Sequence, residues 1–271
     1  MRVRVPNFDV SDLTPLWSPH REFAHRVNSI GIIPSAIEPF LIKVLRRAKT
    51  ELDPVADAEL IADVDLFNRQ EAQHYKKHEL FNEMVASNGY PGIRDHDQAL
   101  KDQYNQWFRE KDLEWLLSYC EAFESLVAGG AEQWVDYGWG SYLDGADPRM
   151  IELWRWHLAE EYEHRTVVHR LFHRLVSGSP DDVYNKRVSG LAFFLEHLPT
   201  VVDPLRLYLL SVDRAHMTPE EVAQSQERDA QVEARAEEFF TSVADVMSPD
   251  WDPEKLAPPK HLEEVLAWYP D

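Results

Sequence analysis

Apolar residues recur along most of the chain at the three- and four-residue spacing of one helix face. Within residues 55–88, Leu60, Ile61, Val64 and Phe67 follow this spacing, which is typical of an amphipathic helix. Segments that alternate polar and apolar residues are scarce, and long stretches are rich in Ala, Leu, Glu, Arg and Gln. Because those residues favour helices, the pattern predicts an all-α fold.

Proline, glycine and asparagine divide the pattern into successive helices. Four long helices come first and a helical C-terminal extension follows, so residues 1–271 are expected to form one domain. The core bundle is expected at about 34–177 and the extension at about 182–271. A polar segment before residue 110 is expected to form a short helix and a loop. An irregular arm is expected at 1–30, and the predicted helices are 21–27, 34–50, 55–88, 112–137, 148–177, 182–197, 203–214, 218–247 and 260–268.

The composition narrows the class of protein. With 271 residues, 44% of them hydrophobic, the chain is long enough to bury a substantial core. A formal net charge of −20 argues against binding to nucleic acid or to an anionic membrane. No run of about 18 uncharged apolar residues occurs, so no membrane span is expected. The first residues lack the apolar stretch of a signal peptide and Cys120 is the only cysteine, so we expect a cytoplasmic protein without disulfides.

Two Glu-x-x-His units occur in different predicted helices. Glu71 and His74 belong to the second long helix, and Glu161 and His164 belong to the fourth. Residues three apart lie on one helix face about a turn apart, so each carboxylate and imidazole can bind the same metal ion. Two such units on two helices predict a site for two metal ions.

A dinuclear site in a four-helix bundle needs one further carboxylate from each of the other two helices. The first long helix supplies Glu38, and the third supplies Glu121, with Glu124 one turn later. The interval between Glu71 and Glu121 is the longest, and it contains a turn at 88–92. That length suits the single long crossover of a ferritin-like bundle, in which the second and third helices are parallel. The sequence therefore predicts a ferritin-like four-helix bundle with additional C-terminal helices.

Two of these assignments leave an alternative. Glu38 also fits a capping box with Ser35, because the two residues have the Ser-x-x-Glu spacing. On the third helix Glu121 is the preferred ligand. For Glu124 three interpretations are open. It is the alternative ligand, a catalytic residue beside the metal ions, or an acid exposed to solvent.

Two further histidines flank the Glu-x-x-His units. His78 lies four residues after His74, and His157 lies four residues before Glu161. Because the second and fourth helices of a ferritin-like bundle are antiparallel, the two histidines are expected to converge at one end of the metal site. They are candidate ligands, hydrogen-bond donors to the carboxylates or proton carriers, and the alternative is a buried, hydrogen-bonded pair. Glu160, about 60° from the ligand stripe at about 100° per residue, is an additional candidate ligand.

The donor types restrict the metal. Carboxylates and imidazoles without thiolates suit iron or manganese, and they argue against structural zinc. Paired Glu-x-x-His units with further glutamates match a dinuclear iron centre that binds O2. We therefore expect two iron ions, with manganese as the alternative metal, and O2 as the co-substrate.

At these residues the chain resembles a bacterial family described as predicted metal-dependent hydrolases with a ferritin-like fold. The resemblance covers about residues 15–210. The matching stretches are Ile33-Pro34 with Glu38-Pro39-Phe40, Asn68-Arg69-Gln70-Glu71-Ala72-Gln73-His74 with His78 and Asn82, Cys120-Glu121-Ala122-Phe123, and Trp154-Arg155-Trp156-His157 with Glu160-Glu161-Tyr162-Glu163-His164.

The resemblance has functional implications. The family includes nonheme diiron monooxygenases, and the chain resembles one type among them, which hydroxylates diterpenoids in the platensimycin and platencin pathways. His78 and His157 are also family positions. The ligands that the resemblance implies are Glu38, Glu71, His74, Glu121, Glu161 and His164.

The chain departs from the family pattern near two of the implied ligands. Ile37 precedes the first glutamate, where the family usually has Gly. After Glu121 the family usually has His and, two residues further on, Thr, where this chain has Ala122 and Glu124. The difference at Ala122 and Glu124 affects two assignments of the resemblance. One is the metal ligand on the third helix, and the other is the side chain that would face bound oxygen.

The leading functional hypothesis is O2-dependent hydroxylation of a C–H bond in a hydrophobic small molecule, such as a diterpenoid of natural-product biosynthesis. No flavin or nicotinamide fingerprint occurs, so a separate ferredoxin or reductase is expected to supply electrons. Residues 188–195 and 201–212 are candidate walls of a substrate pocket, and the alternative is that most of them belong to the ordinary core. The competing hypotheses are metal-assisted hydrolysis and non-enzymatic iron storage or handling. A homodimer is compatible with each of them.

Overall fold

The computed structural model describes residues 1–237 and 243–269. Their regular secondary structure is helical, and none of these residues forms a β-strand, so the all-α prediction is confirmed. An irregular arm precedes the first helix, as predicted. The helices are α1 (Arg21–Ile30), α2 (Ile32–Lys49), α3 (Ala58–Ser87), α4 (Ile93–Glu110), α5 (Leu113–Gly129), α6 (Glu132–Val135), α7 (Pro148–His164), α8 (Val167–Leu175), α9 (Pro180–Arg214), α10 (Pro219–Glu237), α11 (Val243–Val246) and α12 (Leu262–Leu266), with short 3-10 helices at Gly140–Leu143 and Pro253–Lys255.

Helices α2 and α3 form the first antiparallel pair of a four-helix bundle. Near the end of α3, Asn82 Nδ2 donates a hydrogen bond of 3.0 Å to the carbonyl of Gly31, which immediately precedes α2. At the other end, Lys49 Nζ of α2 lies 2.5 Å from Asp65 Oδ1, early in α3. The end of each helix therefore contacts the start of the other.

Helices α3 and α7 are also antiparallel. His78 Nε2 of α3 lies 2.9 Å from His157 Nδ1 of α7. Two turns earlier in α3, Gln70 Oε1 lies 3.3 Å from Nδ1 of His164, the last residue of α7. As the residue number rises along α3, the number of its partner on α7 falls.

Helix α5 pairs with α7 and α8 in the same antiparallel sense. Glu124 Oε2 lies 3.6 Å from His164 Nε2 at the end of α7. One turn earlier in α5, Glu121 Oε1 lies 2.9 Å from His169 Nδ1 of α8. Since α3 and α5 both oppose α7, they are parallel to each other, and α4 returns the chain between them. This confirms the predicted ferritin-like bundle with one long crossover.

Two predictions about helix extent were wrong. Residues 93–110 form the full helix α4 rather than a short helix and a loop, because Leu100, Tyr104 and Trp107 bury one face at helical spacing. The helix predicted at 148–177 is divided into α7 and α8 by a turn at residues 165 and 166.

A third correction concerns α9, which is continuous although helices were predicted separately at 182–197 and 203–214. Pro199 and Pro204 lie inside it. An interior proline costs about 3 kcal/mol, whereas burying one large apolar side chain contributes about 2 kcal/mol. Several such side chains on both sides of the prolines pack against the bundle and offset that cost. They include Leu191, Phe194, Leu205 and Leu209.

The remaining helix predictions agree in part. The third long helix ends at Gly129 rather than at 137, and α6 follows it. The predicted N-cap Thr218 precedes α10, and its Oγ1 accepts a 3.3 Å hydrogen bond from the backbone N–H of Glu221. Of the helix predicted at 218–247, residues 238–242 lie outside the described residues.

One stretch of the chain, Arg21–Lys49, is long and apolar enough to cross a membrane by length and composition alone. Within the protein, 83% of its most apolar window is buried. This stretch spans α1 and α2, whose side chains Phe23, Ile37 and Leu41 are fully buried in the core. It is therefore packed here as a pair of core helices.

Candidate metal centre

Four glutamates and three histidines converge inside the bundle in two overlapping groups. In each group the candidate ligand atoms lie within 4.8 Å of one another, and all seven side chains are buried. Glu161 belongs to both groups. One group consists of Glu38, His74, His157 and Glu161, and the other of Glu71, Glu124, Glu161 and His164.

The two Glu-x-x-His units face each other across the interface of α3 and α7. Glu161 Oε1 lies 3.4 Å from His74 Nδ1, whereas Glu161 Oε2 lies 3.2 Å from His164 Nε2. Glu71 Oε1 also lies between the two imidazoles, 3.6 Å from His74 Nδ1 and 3.2 Å from His164 Nε2. Both glutamates thus lie in positions to bridge two ions, and Glu161 presents one oxygen to each group.

The other three side chains make the two groups unequal. Glu38 of α2 and His157 of α7 belong to one group, with His157 Nε2 3.2 Å from Glu38 Oε1 and 2.9 Å from Glu161 Oε1. Glu124 of α5 belongs to the other group, 3.6 Å from His164 Nε2. One group therefore offers two imidazoles and the other offers one.

Three of the four carboxylates of the centre lie within 3.6 Å of a histidine but form no hydrogen bond to any residue that the structure describes. Both side-chain oxygens of Glu38, Glu71 and Glu124, and Nδ1 of His74, are buried without a hydrogen-bond partner among the described residues. An unpaired buried carboxylate costs several kcal/mol, so such groups are normally paired or bound to metal. Two divalent cations would neutralise four carboxylates. The donor set therefore fits a pair of divalent metal ions.

The electrostatics of the metal-free site agree with this interpretation. Burial and neighbouring carboxylates raise the pKa of Glu38, Glu71 and Glu124. Burial alone would lower the pKa of His74, but hydrogen bonds to carboxylates raise it well above its ordinary value. Burial would likewise raise the pKa of Glu161, but the adjacent histidines hold it well below its usual range. The three glutamates with a raised pKa and His74 therefore hold protons in the absence of metal. Metal binding would release these protons.

The outer nitrogen of His74 is held by a carboxylate. His74 Nε2 lies 2.9 Å from Glu160 Oε2, and Arg4 Nη1 donates a 2.8 Å hydrogen bond to Glu160 Oε1. Since Nε2 donates to Glu160, Nδ1 is the nitrogen of His74 that faces Glu71 and Glu161, and it would bind metal on losing its proton. Glu160, an additional candidate ligand on sequence grounds, lies outside both groups and orients His74 instead.

His164 has an equivalent support on its own outer nitrogen. Its Nδ1 lies 3.3 Å from Gln70 Oε1, and Gln70 Nε2 donates a 2.8 Å hydrogen bond to Glu163 Oε2. Arg4 Nη1 also donates to Glu163 Oε2, at 3.0 Å. Arg4, from the N-terminal arm, therefore supports both Glu-x-x-His histidines.

His78 and His157 converge at one end of the site, as predicted. Their facing nitrogens, His78 Nε2 and His157 Nδ1, lie 2.9 Å apart. Burial is the main cause that lowers the pKa of both, to about 4 for His157. His157 belongs to one of the two candidate metal groups. His78 belongs to neither and contacts the site through its hydrogen bond with His157.

On the third long helix the structure favours the alternative ligand, Glu124, over the preferred Glu121. Glu121 belongs to neither group, and Glu124 lies there instead. Glu121 Oε1 accepts hydrogen bonds from His169 Nδ1 at 2.9 Å and from Ser125 Oγ at 3.0 Å. At about 100° per residue the two glutamates differ by only about 60° around α5, so a small rotation of the helix decides which one faces the metals.

The capping-box alternative for Glu38 was also wrong. Helix α2 begins at Ile32, so Ser35 lies inside it rather than at its N-cap. Ser35 Oγ donates to Asp97 Oδ1 at 2.6 Å, while Glu38 faces the metal site.

Three residues that support the site were not predicted from the sequence, namely Arg4, Gln70 and His169. Of these, only Gln70 could have been suspected from the sequence, because it lies next to Glu71.

A cavity of about 320 Å³ adjoins the His157 end of the site. Its walls are mostly apolar, and a charged pair, Arg26 and Glu233, lies on it with a separation of 3.4 Å between Arg26 Nε and Glu233 Oε1. Phe194 and Val202 come from the two segments predicted as pocket walls. The other apolar side chains on the cavity include Ile33, Pro34, Phe123, Val127, Trp154 and Leu158.

The chain was compared with known proteins. Residues 2–257 match a family model described as predicted metal-dependent hydrolase. No curated protein and no solved structure matched significantly, so the likeness to a diterpenoid hydroxylase stays a prediction. The match extends over nearly the whole chain and includes every residue of the two metal groups. The chain belongs to the family of predicted metal-dependent hydrolases.

Proposed function

We propose that the chain is a nonheme diiron monooxygenase that uses O2 to hydroxylate a C–H bond of a hydrophobic small molecule. The observation that supports this function is the contact between a two-metal donor set and an apolar cavity, made at His157. A metal pair alone would suit several reactions. The apolar cavity beside it favours a substrate with little polar surface.

The donor set favours iron. Four carboxylates and three imidazoles are hard and borderline ligands, which suit iron or manganese, and no thiolate belongs to either group. Two bound irons together would supply electrons for cleavage of the O–O bond. The electrons that restore the site would come from a separate ferredoxin or reductase.

The side chains around the donors have a defined positioning function in this proposal. Glu160 fixes the tautomer of His74, and Gln70 orients His164. When a metal ion binds His157 Nε2 in place of its proton, His157 Nδ1 would donate to His78 Nε2, which lies 2.9 Å away. Each imidazole is thus held with the ring nitrogen that would bind metal directed at the carboxylates of its group.

The cavity determines where the substrate lies. It adjoins the group that contains Glu38 and His157, so a bound substrate would approach the metals from that end. Its walls exclude water from the reacting region and bind an apolar molecule through burial. A volume of about 320 Å³ falls in the range of small-molecule sites. A diterpenoid of natural-product biosynthesis is one substrate of this class.

Hydrolysis is the second candidate, and the description of the family favours it. The same donors would then activate water on redox-inactive ions. The two candidates differ in their need for O2, because a hydrolase keeps its activity in anaerobic buffer with zinc.

The test compares the two activities directly. The iron-loaded, reduced protein is incubated with a set of apolar terpenoids under ¹⁸O2, and the products are analysed by mass spectrometry. Incorporation of one ¹⁸O atom per product supports the monooxygenase. Oxygen from water in the product, or undiminished turnover without O2, contradicts it and supports hydrolysis.

A further inference from the structure

A second pair of histidines lies on α8, outside the metal groups. His169 and His173 are four residues apart on one face of this helix, with their ring centroids 4.4 Å apart. Two histidines at this spacing on a helix can chelate one divalent cation. Neither residue takes part in the centre described above.

Glu121 holds His169 in the orientation that metal binding requires. Its Oε1 lies 2.9 Å from His169 Nδ1, which leaves His169 Nε2 free for a cation. Glu160 and His74 have the same kind of carboxylate–imidazole contact in the inner centre. The second oxygen of Glu121, Oε2, is buried and has no hydrogen-bond partner among the described residues.

Burial increases from His173 through His169 to Glu121, that is, from the solvent toward the interior of the bundle. His173 is exposed, the side chain of His169 is 14% exposed, and that of Glu121 is 0% exposed. The next residue inward is Glu124, one turn further along α5, which belongs to the inner metal group. Metal-binding side chains therefore continue from the surface to the dinuclear site.

We propose that His169 and His173 form an outer site for a divalent cation, and that ions reach the inner centre from it by way of Glu121. The proposal rests on the dinuclear centre proposed above. A surface with a net charge of −20 attracts cations, and the outer site selects those that prefer imidazole. Glu121 then offers its free carboxylate oxygen to an ion that leaves the histidines, one helical turn from Glu124.

The C-terminal segment covers the inner part of this route. Trp251 Nε1 donates a 3.0 Å hydrogen bond to Ser125 Oγ, which in turn donates to Glu121 Oε1. The indole thus covers Ser125, the direct neighbour of Glu121. In this proposal ions approach Glu121 along α8, past His173 and His169.

The test follows Co²⁺ uptake by the full-length chain after its metals have been removed with a chelator. Stopped-flow absorption gives the rate and titration gives the number of ions bound. We expect the wild-type chain to bind two ions tightly and a third more weakly. In His169→Ala/His173→Ala the third ion should be lost, and filling of the inner pair should slow by about tenfold or more.

The matched control is His261→Ala. His261 is also an exposed histidine with a carboxylate neighbour, Glu264, at 3.1 Å, but it lies far along the chain on the approach to α12. This variant should fill at the wild-type rate. A double variant that binds three ions at the wild-type rate would overturn the outer site.

A second variant, Glu121→Gln, keeps an oxygen that accepts from His169 but removes the negative charge. We expect slower uptake with two ions still bound at equilibrium, and unchanged uptake would overturn the role of Glu121. If the wild-type chain itself never binds a pair of ions, the dinuclear centre is wrong as well. The two failures are therefore distinguishable.

Discussion

Arg4 and Glu160 form a buried ion pair, in which Arg4 Nη1 lies 2.8 Å from Glu160 Oε1 and the two side chains are 4% and 0% exposed. The pair joins the N-terminal arm to α7. Because the other oxygen of Glu160 accepts a hydrogen bond from His74, a residue near the start of the chain helps to orient a candidate metal ligand.

Replacing Arg4 should weaken both metal binding and folding. In Arg4→Met, Glu160 and Glu163 lose their counter-ion, and breaking such a buried pair costs about 3–5 kcal/mol of unfolding free energy. The metal dissociation constant should rise by about 10–100-fold, since the residues that orient His74 and His164 are disturbed. Urea denaturation and metal titration measure the two effects.

Arg2→Met is the matched control for this variant. The guanidinium of Arg2 contacts the carbonyls of Leu266 and Tyr269 and no residue of the metal centre. Equal losses of metal affinity in the two variants would contradict a specific role of Arg4.

Glu124 and Glu121 should differ in their effect on metal content. Glu124→Gln removes a donor from the group that contains His164, so the purified protein should hold about one ion fewer than the wild-type chain. Glu121→Gln should retain both ions at equilibrium, because Glu121 lies outside the groups. Metal analysis of the purified variants checks this, and the reverse result would restore Glu121 as the ligand.

Above about pH 6.5, the ordinary pKa of histidine, the stability of the metal-free chain should decrease as the pH rises. Burial and neighbouring carboxylates raise the pKa of Glu38 and Glu124, and carboxylate partners raise that of His74 against the effect of burial. A group whose pKa is raised on folding stabilises the fold while it is protonated, and this contribution is lost as the pH rises through its folded pKa. Glu161, with a lowered pKa, has the opposite effect, but only in acid, below about pH 4.3.

Urea denaturation above about pH 6.5, the ordinary pKa of histidine, tests this expectation. The metal-free chain should lose unfolding free energy between this pH and pH ~8.5, whereas the metal-loaded chain should change much less. Glu38→Gln should raise the Tm of the metal-free chain and reduce its pH dependence. A metal-free chain that becomes more stable in alkaline buffer would contradict the assignment of these buried protons.

Filling the cavity should abolish substrate binding without emptying the metal site. Val127→Trp places an indole in the cavity at a residue of α5 that belongs to neither metal group. Overpacking costs about 1–3 kcal/mol, so the protein should remain folded with its metals. Binding of an apolar terpenoid, measured by quenching of the cavity tryptophans, should fall at least about tenfold as buried contact area is lost.

Leu207→Trp is the corresponding control, because Leu207 is 51% exposed and lies off the cavity. It should bind the same terpenoid as the wild-type chain does. Undiminished binding by Val127→Trp would mean that the substrate lies elsewhere.

The helical pattern was sufficient to predict the bundle and the two Glu-x-x-His units. Residues three apart on one helix share a face whatever the surrounding fold, so Glu71 with His74 and Glu161 with His164 required only helix geometry. The convergence of His78 with His157 additionally required the antiparallel order of the helices. The first prediction depends only on local helix geometry, and the second depends also on the topology of the bundle.

The choice between Glu121 and Glu124 could not be predicted, because the rotation of α5 depends on its packing against α8 and α9. The turn at residues 165 and 166 was not expected either, and it brings His169 to Glu121. Arg4 contacts Glu160 across most of the length of the chain, and no spacing rule links such residues. Long-range contacts of this kind depend on the folded packing rather than on periodicity.

Anomalous diffraction from crystals of the iron-loaded protein would show whether Glu161 bridges two metal ions, on which the proposed dinuclear centre depends. Data collected at the iron absorption edge should show two peaks about 3.5–4 Å apart, with Oε1 and Oε2 of Glu161 directed to different peaks. A single peak, or two peaks of which Glu161 faces only one, would rule out a dinuclear centre bridged by Glu161.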